Sequence, residues 1–301
     1  MKLRVGFVGI GNIGEPLCRH LLEGGYELLI YDVAPEALAR LGDTLAEPAA
    51  SPEALATEAD VVLLSLPNSD VVEEIVFGES GLKDGLSSGK ALIDTSSSRP
   101  SSTRGISTRL AAEGIDMLDA PVSGGVLRAR EGKLSVMVGG KRAVYERYRE
   151  ILESFGDEIF YVGDHGAGHL VKALNNLLSA TTLASAAEAA LLARRAGVAP
   201  DAFVEVINAS NGRSYSTEVK FPRYVLNRTF DDGFALGLMN KDLKIALETA
   251  AEMEFPMPIG SALVQLWEIA VARGYGSKNH TAIYAFLEDL LGEGNGGDEK
   301  P

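Results

Sequence analysis

The sequence predicts an α/β domain followed by an all-α domain. Three observations carry this reading. Short apolar runs alternate with helix-compatible stretches over residues 1–163, a glycine-rich turn closes the first of those runs, and the proline-free segment Ala167–Arg195 reads as one long helix with more helices behind it. At 301 residues and 46% hydrophobic content, the chain is long enough to bury the cores of two domains.

In order, the predicted strands are Arg4–Val8, Glu27–Tyr31, Val61–Leu66, Lys90–Asp94, Met117–Ala120, Leu134–Val138 and Ile159–Val162. Helical stretches near 15–23, 35–41, 52–57, 69–76, 100–113 and 142–155 lie between them, the pattern of a mostly parallel sheet covered by helices. The turn after the first strand reads Gly9-Ile10-Gly11-Asn12-Ile13-Gly14. Here Gly9 makes the tight turn, Gly11 lets a phosphate approach the backbone, and Gly14 lets the helix pack on the strand. A plain strand-to-helix turn can show the same spacing, so the surroundings matter. Glu15–Leu22 continues as a helix, Gly24-Gly25 ends it, and the second strand runs into Asp32, about twenty residues past the turn. A carboxylate there accepts both adenosine ribose hydroxyls of NAD, although an aspartate can also merely end a strand. It repels a 2′-phosphate, and Val33-Ala34-Pro35-Glu36 bring no cation to offset that, so NAD is expected over NADP. The unit is of Rossmann type.

Beyond Gly163-Asp164-His165-Gly166 the pattern is helical: Ala167–Arg195, then stretches near 200–209, 215–227, 236–253, 258–273 and 279–291. The expected organisation is therefore a dinucleotide-binding domain over 1–163, a helical substrate and oligomerisation domain over 164–292 built on the long helix, and a disordered tail over 293–301. Ala180, Ala184, Ala187 and Ala190 give the long helix a small-residue face that permits close helix approach and suits a subunit contact; a homodimer or homotetramer is expected. A formal charge of −14 disfavours nucleic acid as a partner. No uninterrupted apolar run approaches the roughly eighteen residues of a membrane span and no basic leader precedes the first strand, so no membrane partner and a cytoplasmic location are expected. The single cysteine, Cys18, excludes an intrachain disulfide framework and reads as packing. No metal site is expected.

The start of the long helix carries the second informative segment. Lys172 and Asn176, four apart, project from one face, with His169 three residues before Lys172 on the same stripe. A helical lysine is ordinarily a solvated charge, but one set among Leu170, Val171, Ala173 and Leu174 is partly desolvated and poised to exchange a proton. Asn176 can then hold a substrate oxygen, and His169 is either a rival base or a structural residue of the first turn.

Four motifs occur in order: Phe7–Gly14, Asp119–Gly125, Gly166–Asn176 and Asn240-Lys241-Asp242-Leu243. On them the chain resembles the β-hydroxyacid dehydrogenase family, which includes 3-hydroxyisobutyrate dehydrogenase, tartronate semialdehyde reductase and, more distantly, 6-phosphogluconate dehydrogenase; the resemblance spans about residues 3–291. It implies Lys172 as general acid/base, Asn176 as the residue orienting substrate, Ser123-Gly124-Gly125 as the binder of a small substrate carboxylate, and Lys241 over the nicotinamide side. Leu66, Pro67, Ser96 and Ser97 would line the cofactor cleft, Asp242 would cap or pair locally, and Arg213 would supply positive charge. Arg128 departs from the family pattern: its guanidinium either recognises a second anionic group or stands in solvent. The implied reaction is reversible NAD-dependent oxidation of a small 3-hydroxy acid to a semialdehyde or keto acid. Reduction of tartronate semialdehyde, succinic semialdehyde or glyoxylate is the alternative within the family, and a non-catalytic cofactor-binding module the alternative outside it. Lys172 argues against imine reduction.

Overall fold

The computed structural model describes residues 3–292; the tail expected over 293–301 lies outside the described residues. By compactness the chain divides into two units, Met1–Lys172 and Ala173–Pro301, with the division inside the long helix.

Among the described residues, nine strands of the first unit form one sheet: β1 (Arg4–Val8), β2 (Glu27–Tyr31), β3 (Glu47–Pro48), β4 (Val61–Leu64), β5 (Ala91–Asp94), β6 (Asp116–Asp119), β7 (Val122–Ser123), β8 (Leu134–Gly140) and β9 (Gly156–Gly163). Six run parallel in the order β3-β2-β1-β4-β5-β6. That order reverses at β1 and β4, the switch point of a doubly wound sheet. β8 then pairs antiparallel with both β6 and β7, and parallel with β9. The apolar runs are uninterrupted because both faces are covered. Val5, Phe7, Val61, Leu63, Ala91 and Ile93 enter the core beneath the helices Gly14–Glu23 and Arg142–Glu153, whereas Val8, Val62, Leu64 and Leu92 enter the opposite core with Leu55, Val72 and Ile106. The two-residue strands β3 and β7 and the short helices Leu82–Gly85 and Gly125–Arg130 have no counterpart in the sequence reading, being too short for a periodicity signal.

The second unit is helical. Ala167–Arg195 is a single helix of 29 residues, and from Ala173 onward its small face packs into a core with Phe221, Leu243, Trp267 and Tyr284. Ala180, Ala184, Ala187 and Ala190 are at most 4% exposed, so the small face serves helix approach within this chain; the expectation of a subunit contact through these alanines is corrected. By length and composition alone this helix could cross a membrane, a feature missed in the reading of apolar runs, and its buried face is taken up by the core of its own unit. The segment Ser216–Val225 is wound as a π-helix: Pro222 brings no N–H, and the Leu226 N–H bonds five residues back to the Phe221 carbonyl.

A buried polar group in this unit couples its stability to pH. His280 lies with Nε2 3.4 Å from Asp232 Oδ2 and Nδ1 3.2 Å from the Phe234 carbonyl oxygen. Burial, reinforced by the Lys220 charge, holds its imidazole down to about 3. The unfolded chain takes up a proton at this residue near pH 6.5 and the native chain does not, so stability falls as pH drops from about 6.5 toward 3. His280→Gln removes this contribution, and urea midpoints between about pH 7 and about pH 4 should vary less steeply in the variant than in the parent.

Candidate active site

The glycine-rich turn stands at the carboxyl end of β1, beside the end of β4. Gly9 has φ 97°, and a Cβ placed on it would lie 2.3 Å from the Ser65 carbonyl oxygen. A Cβ on Gly14 would lie 1.9 Å from the Gly9 oxygen. Gly11 differs: it is exposed, and a Cβ there meets no protein atom within 4 Å. The protein's own backbone therefore demands glycine at 9 and 14, and nothing in the protein demands it at 11. Close approach of an outside group to the backbone does. The helix Gly14–Glu23 follows Ile13 without a side-chain cap; Glu15 and Leu17 donate to the Gly11 and Ile13 carbonyls and Pro16 has no N–H, which leaves the Gly14 N–H at the helix start for an anion. These features fit the diphosphate of a dinucleotide.

Asp32 at the end of β2 belongs to the same arrangement. One carboxylate oxygen accepts the Ile10 N–H at 2.7 Å and the other the Ala34 N–H at 2.9 Å, which ties the turn to β2 while leaving lone pairs for ribose hydroxyls. Arg40 escaped the sequence reading, which stopped at Glu36. Its exposed guanidinium donates to Asn12 Oδ1 at 3.3 Å and brings a positive charge to the rim of the turn. Eight residues of sequence and a change of direction separate it from Asp32, so only the folded chain shows the proximity.

At the next strand ends, Ser96 is buried and its hydroxyl oxygen accepts the Leu66 N–H at 2.9 Å. Its role is thus to join the loops after β4 and β5. Leu66 and Ser97 are half-buried and Pro67 is exposed. Asp94 and Asp119 are register partners on β5 and β6, both wholly buried. Asp94 accepts the Ser96 N–H and the Ser98 hydroxyl, while Asp119 accepts the N–H groups of Gly166 at 2.8 Å and His169 at 3.1 Å. Ser123 ends β7 half-buried, and Gly124 follows at φ 135° with Gly125 beside it, both exposed, leaving backbone open at the loop expected to hold a carboxylate. The Arg128 side chain runs beside Gly124, where a Cβ would lie 2.9 Å from the Arg128 Cβ. It donates to the Lys133 carbonyl oxygen and pairs with Asp157 at 3.2 Å, in keeping with the surface alternative of the two readings offered for it.

On the long helix, Lys172 is half-buried. His169, one turn earlier, is buried against Thr103 and Asp94, which takes it out of contention as a solvent-reachable base. In the second unit, Asn176 is buried and donates to Asp242 Oδ2 at 2.6 Å, and Lys241 Nζ lies 3.1 Å from Asp242 Oδ1. Asp242 is therefore the link between two of the expected site residues, a role its position in the sequence did not disclose. Arg213 is exposed. Cys18 is packed in the first core, where burial pushes its thiol well above the ordinary range, as befits a packing residue.

Comparison with known proteins fits this geometry. Residues 4–163 match the family model of the NAD-binding domain of 6-phosphogluconate dehydrogenase, and residues 166–287 match that of the NAD-binding domain of NADP-dependent 3-hydroxyisobutyrate dehydrogenase. The chain belongs to the β-hydroxyacid dehydrogenase family. It is 36% identical to 2-(hydroxymethyl)glutarate dehydrogenase of Eubacterium barkeri over 97% of each chain. With mitochondrial 3-hydroxyisobutyrate dehydrogenase of Mus musculus it shares 33% identity, covering 96% of this chain and 88% of that one. The structure of Mycobacterium tuberculosis 3-hydroxyisobutyrate dehydrogenase with L-serine superposes with a TM-score of 0.89 at 29% identity, covering 95% of this chain and 99% of the other. This β-hydroxyacid dehydrogenase is accordingly an NAD(P)-dependent oxidoreductase with a Rossmann-type domain followed by a helical one.

The two kinds of glycine in the turn are separable by experiment. Gly11→Ala should fold with a melting temperature close to that of the parent and bind the dinucleotide roughly tenfold or more weakly, because its methyl group occupies ligand space alone. Gly14→Ala should lose stability outright, by about 2 kcal/mol or more, because its methyl group collides with backbone. Calorimetry of both variants with and without cofactor distinguishes the two.

Proposed function

We propose that this dehydrogenase oxidises a small 3-hydroxy acid of the 3-hydroxyisobutyrate type to its semialdehyde, reversibly and with NAD as the preferred acceptor. The observation that carries the reading is Lys172, half-buried in the apolar first turns of the long helix and in the same unit as the dinucleotide turn. The two relatives named above act, by their names, on 2-(hydroxymethyl)glutarate and 3-hydroxyisobutyrate. Both are 3-hydroxypropanoates substituted at carbon 2, and that shared unit is the proposed core of the substrate.

In this reading Lys172 Nζ accepts the hydroxyl proton during oxidation and returns it during reduction. A bound nicotinamide supplies the hydride acceptor. Ser123 and the open backbone at Gly124 and Gly125 hold the carboxylate. Asn176 orients the hydroxyl, and its amide is itself held by Asp242 so that it need not reorganise. Lys241, paired with Asp242, is assigned to the nicotinamide side. With Arg128 engaged by Asp157, a single carboxylate is the favoured anionic feature, and reduction of tartronate semialdehyde, succinic semialdehyde or glyoxylate stands second. A cytoplasmic homodimer or homotetramer, with neither nucleic acid nor membrane as partner, completes the proposal; the acidic net charge of −14 supports the first of those exclusions.

Turnover of NAD against a panel of 3-hydroxy acids tests the substrate, and Lys172→Ala should lower kcat by about 10²–10⁴ with cofactor affinity nearly unchanged. Retained turnover in that variant refutes the assignment. Asp32 decides the cofactor: wild-type kcat/KM should be higher with NAD than with NADP, and Asp32→Ala should narrow the gap while weakening NAD through loss of both the ribose contact and the hold on Ile10. A wild-type preference for NADP would point instead to Arg40 as the governing charge.

A further inference from the structure

The first turn of the long helix is fixed in place by groups drawn from three other elements. Asp119 at the end of β6 satisfies the N–H groups of both Gly166 and His169, so the cap comes from the sheet and not from the helix's own flanking residue. Gly168 seats that turn against backbone: a Cβ there would stand 2.3 Å from the Met137 carbonyl oxygen and 2.9 Å from that of Asp119. The His169 ring is then pinned sideways. Its Nδ1 lies 2.7 Å from Thr103 Oγ1 on the helix Pro100–Ala111, either atom being able to donate according to the ring tautomer, and the Thr103 hydroxyl also lies 3.2 Å from the Arg99 carbonyl oxygen. His169 Nε2 has no hydrogen-bond partner and faces Asp94 Oδ2 at 3.7 Å. An apolar residue would fill this space without stranding a buried nitrogen.

We propose that Asp119 and His169, with Thr103, form a latch that sets the position of Lys172, and that they are positioning residues for the reaction. The proposal rests on the reading of Lys172 as acid/base. Three residues along a helix are a rise of about 4.5 Å and most of one turn, so any shift of the backbone at His169 is carried rigidly to Lys172. Asp94 and Asp119 sit on adjacent strands in register, so the carboxylate that caps the helix and the one that His169 Nε2 faces share one rigid frame, the sheet that also carries the dinucleotide turn. A misplacement of about 1 Å between reacting groups can cost on the order of 10²-fold in rate.

The test compares full-length His169→Leu, His169→Asn, Thr103→Val and Asp119→Asn with Lys172→Ala, measuring kcat, KM for hydroxy acid, cofactor affinity and melting temperature on each. His169→Leu and Asp119→Asn should lower kcat by about 10–100-fold while the affinity for NAD stays within about twofold. Thr103→Val should fall between them and the parent. His169→Asn, whose amide can replace Nδ1 toward Thr103 Oγ1 as either donor or acceptor, should recover most of the loss. If His169→Leu and Thr103→Val fold and turn over at the parental kcat, or lose only melting temperature, the latch is overturned while an inactive Lys172→Ala leaves the acid/base reading standing. Should Asp119→Asn not fold, the His169 and Thr103 variants decide alone. Normal turnover of Lys172→Ala defeats the acid/base reading and the latch with it.

Discussion

Parallel pairing of β1 through β6 is the constraint on which the first unit depends. Parallel strands deliver their carboxyl ends to one edge, and a row of polar groups follows those ends: the glycine turn after β1, Asp32 after β2, Ser65 after β4, Asp94 and Ser96 around the end of β5, and Asp119 at the end of β6. The opposite faces are filled by apolar side chains on both sides, so the sheet has nowhere else to put polar chemistry without burying it unsatisfied. Where carboxylates are buried, as at Asp94 and Asp119, backbone N–H groups meet them.

The second unit follows a different logic. Its small-residue helix face allows close packing against Phe221, Leu243 and Trp267, and its buried carboxylates are met by partners, Asp242 by Asn176 and Lys241, and Glu288 by Arg194 and Arg228. Asp242 reaches Asn176 across 66 residues of sequence, so the rigidity of Asn176 is a tertiary property.

What was legible in the sequence followed from local physics. Strand and helix order, the turn Gly9–Gly14 and the long helix are written in periodicity and in backbone demands that hold within a dozen residues. The strand β7, the helix Gly125–Arg130 and the π-winding at Pro222 were not legible, because their signals are either too short or depend on which hydrogen bond replaces a missing one. Side-chain roles divided the same way. Asp32 could be placed by its distance from the turn, whereas Arg40 beside Asn12, Asp119 beneath the long helix and Arg128 against Asp157 are long-range pairings that spacing does not encode. Ser96 shows the converse: a residue picked out by its position after a strand turned out to spend its hydroxyl on the neighbouring loop.

The packing of Cys18 has a practical consequence. The chain has one thiol, and it is fully buried with its reactive form disfavoured. A cysteine introduced on the exposed side of the long helix, for example in place of Leu178, which is 66% exposed, would therefore be the one readily alkylated position. The molecule comes ready for a single spectroscopic label without any prior removal of native sulfur.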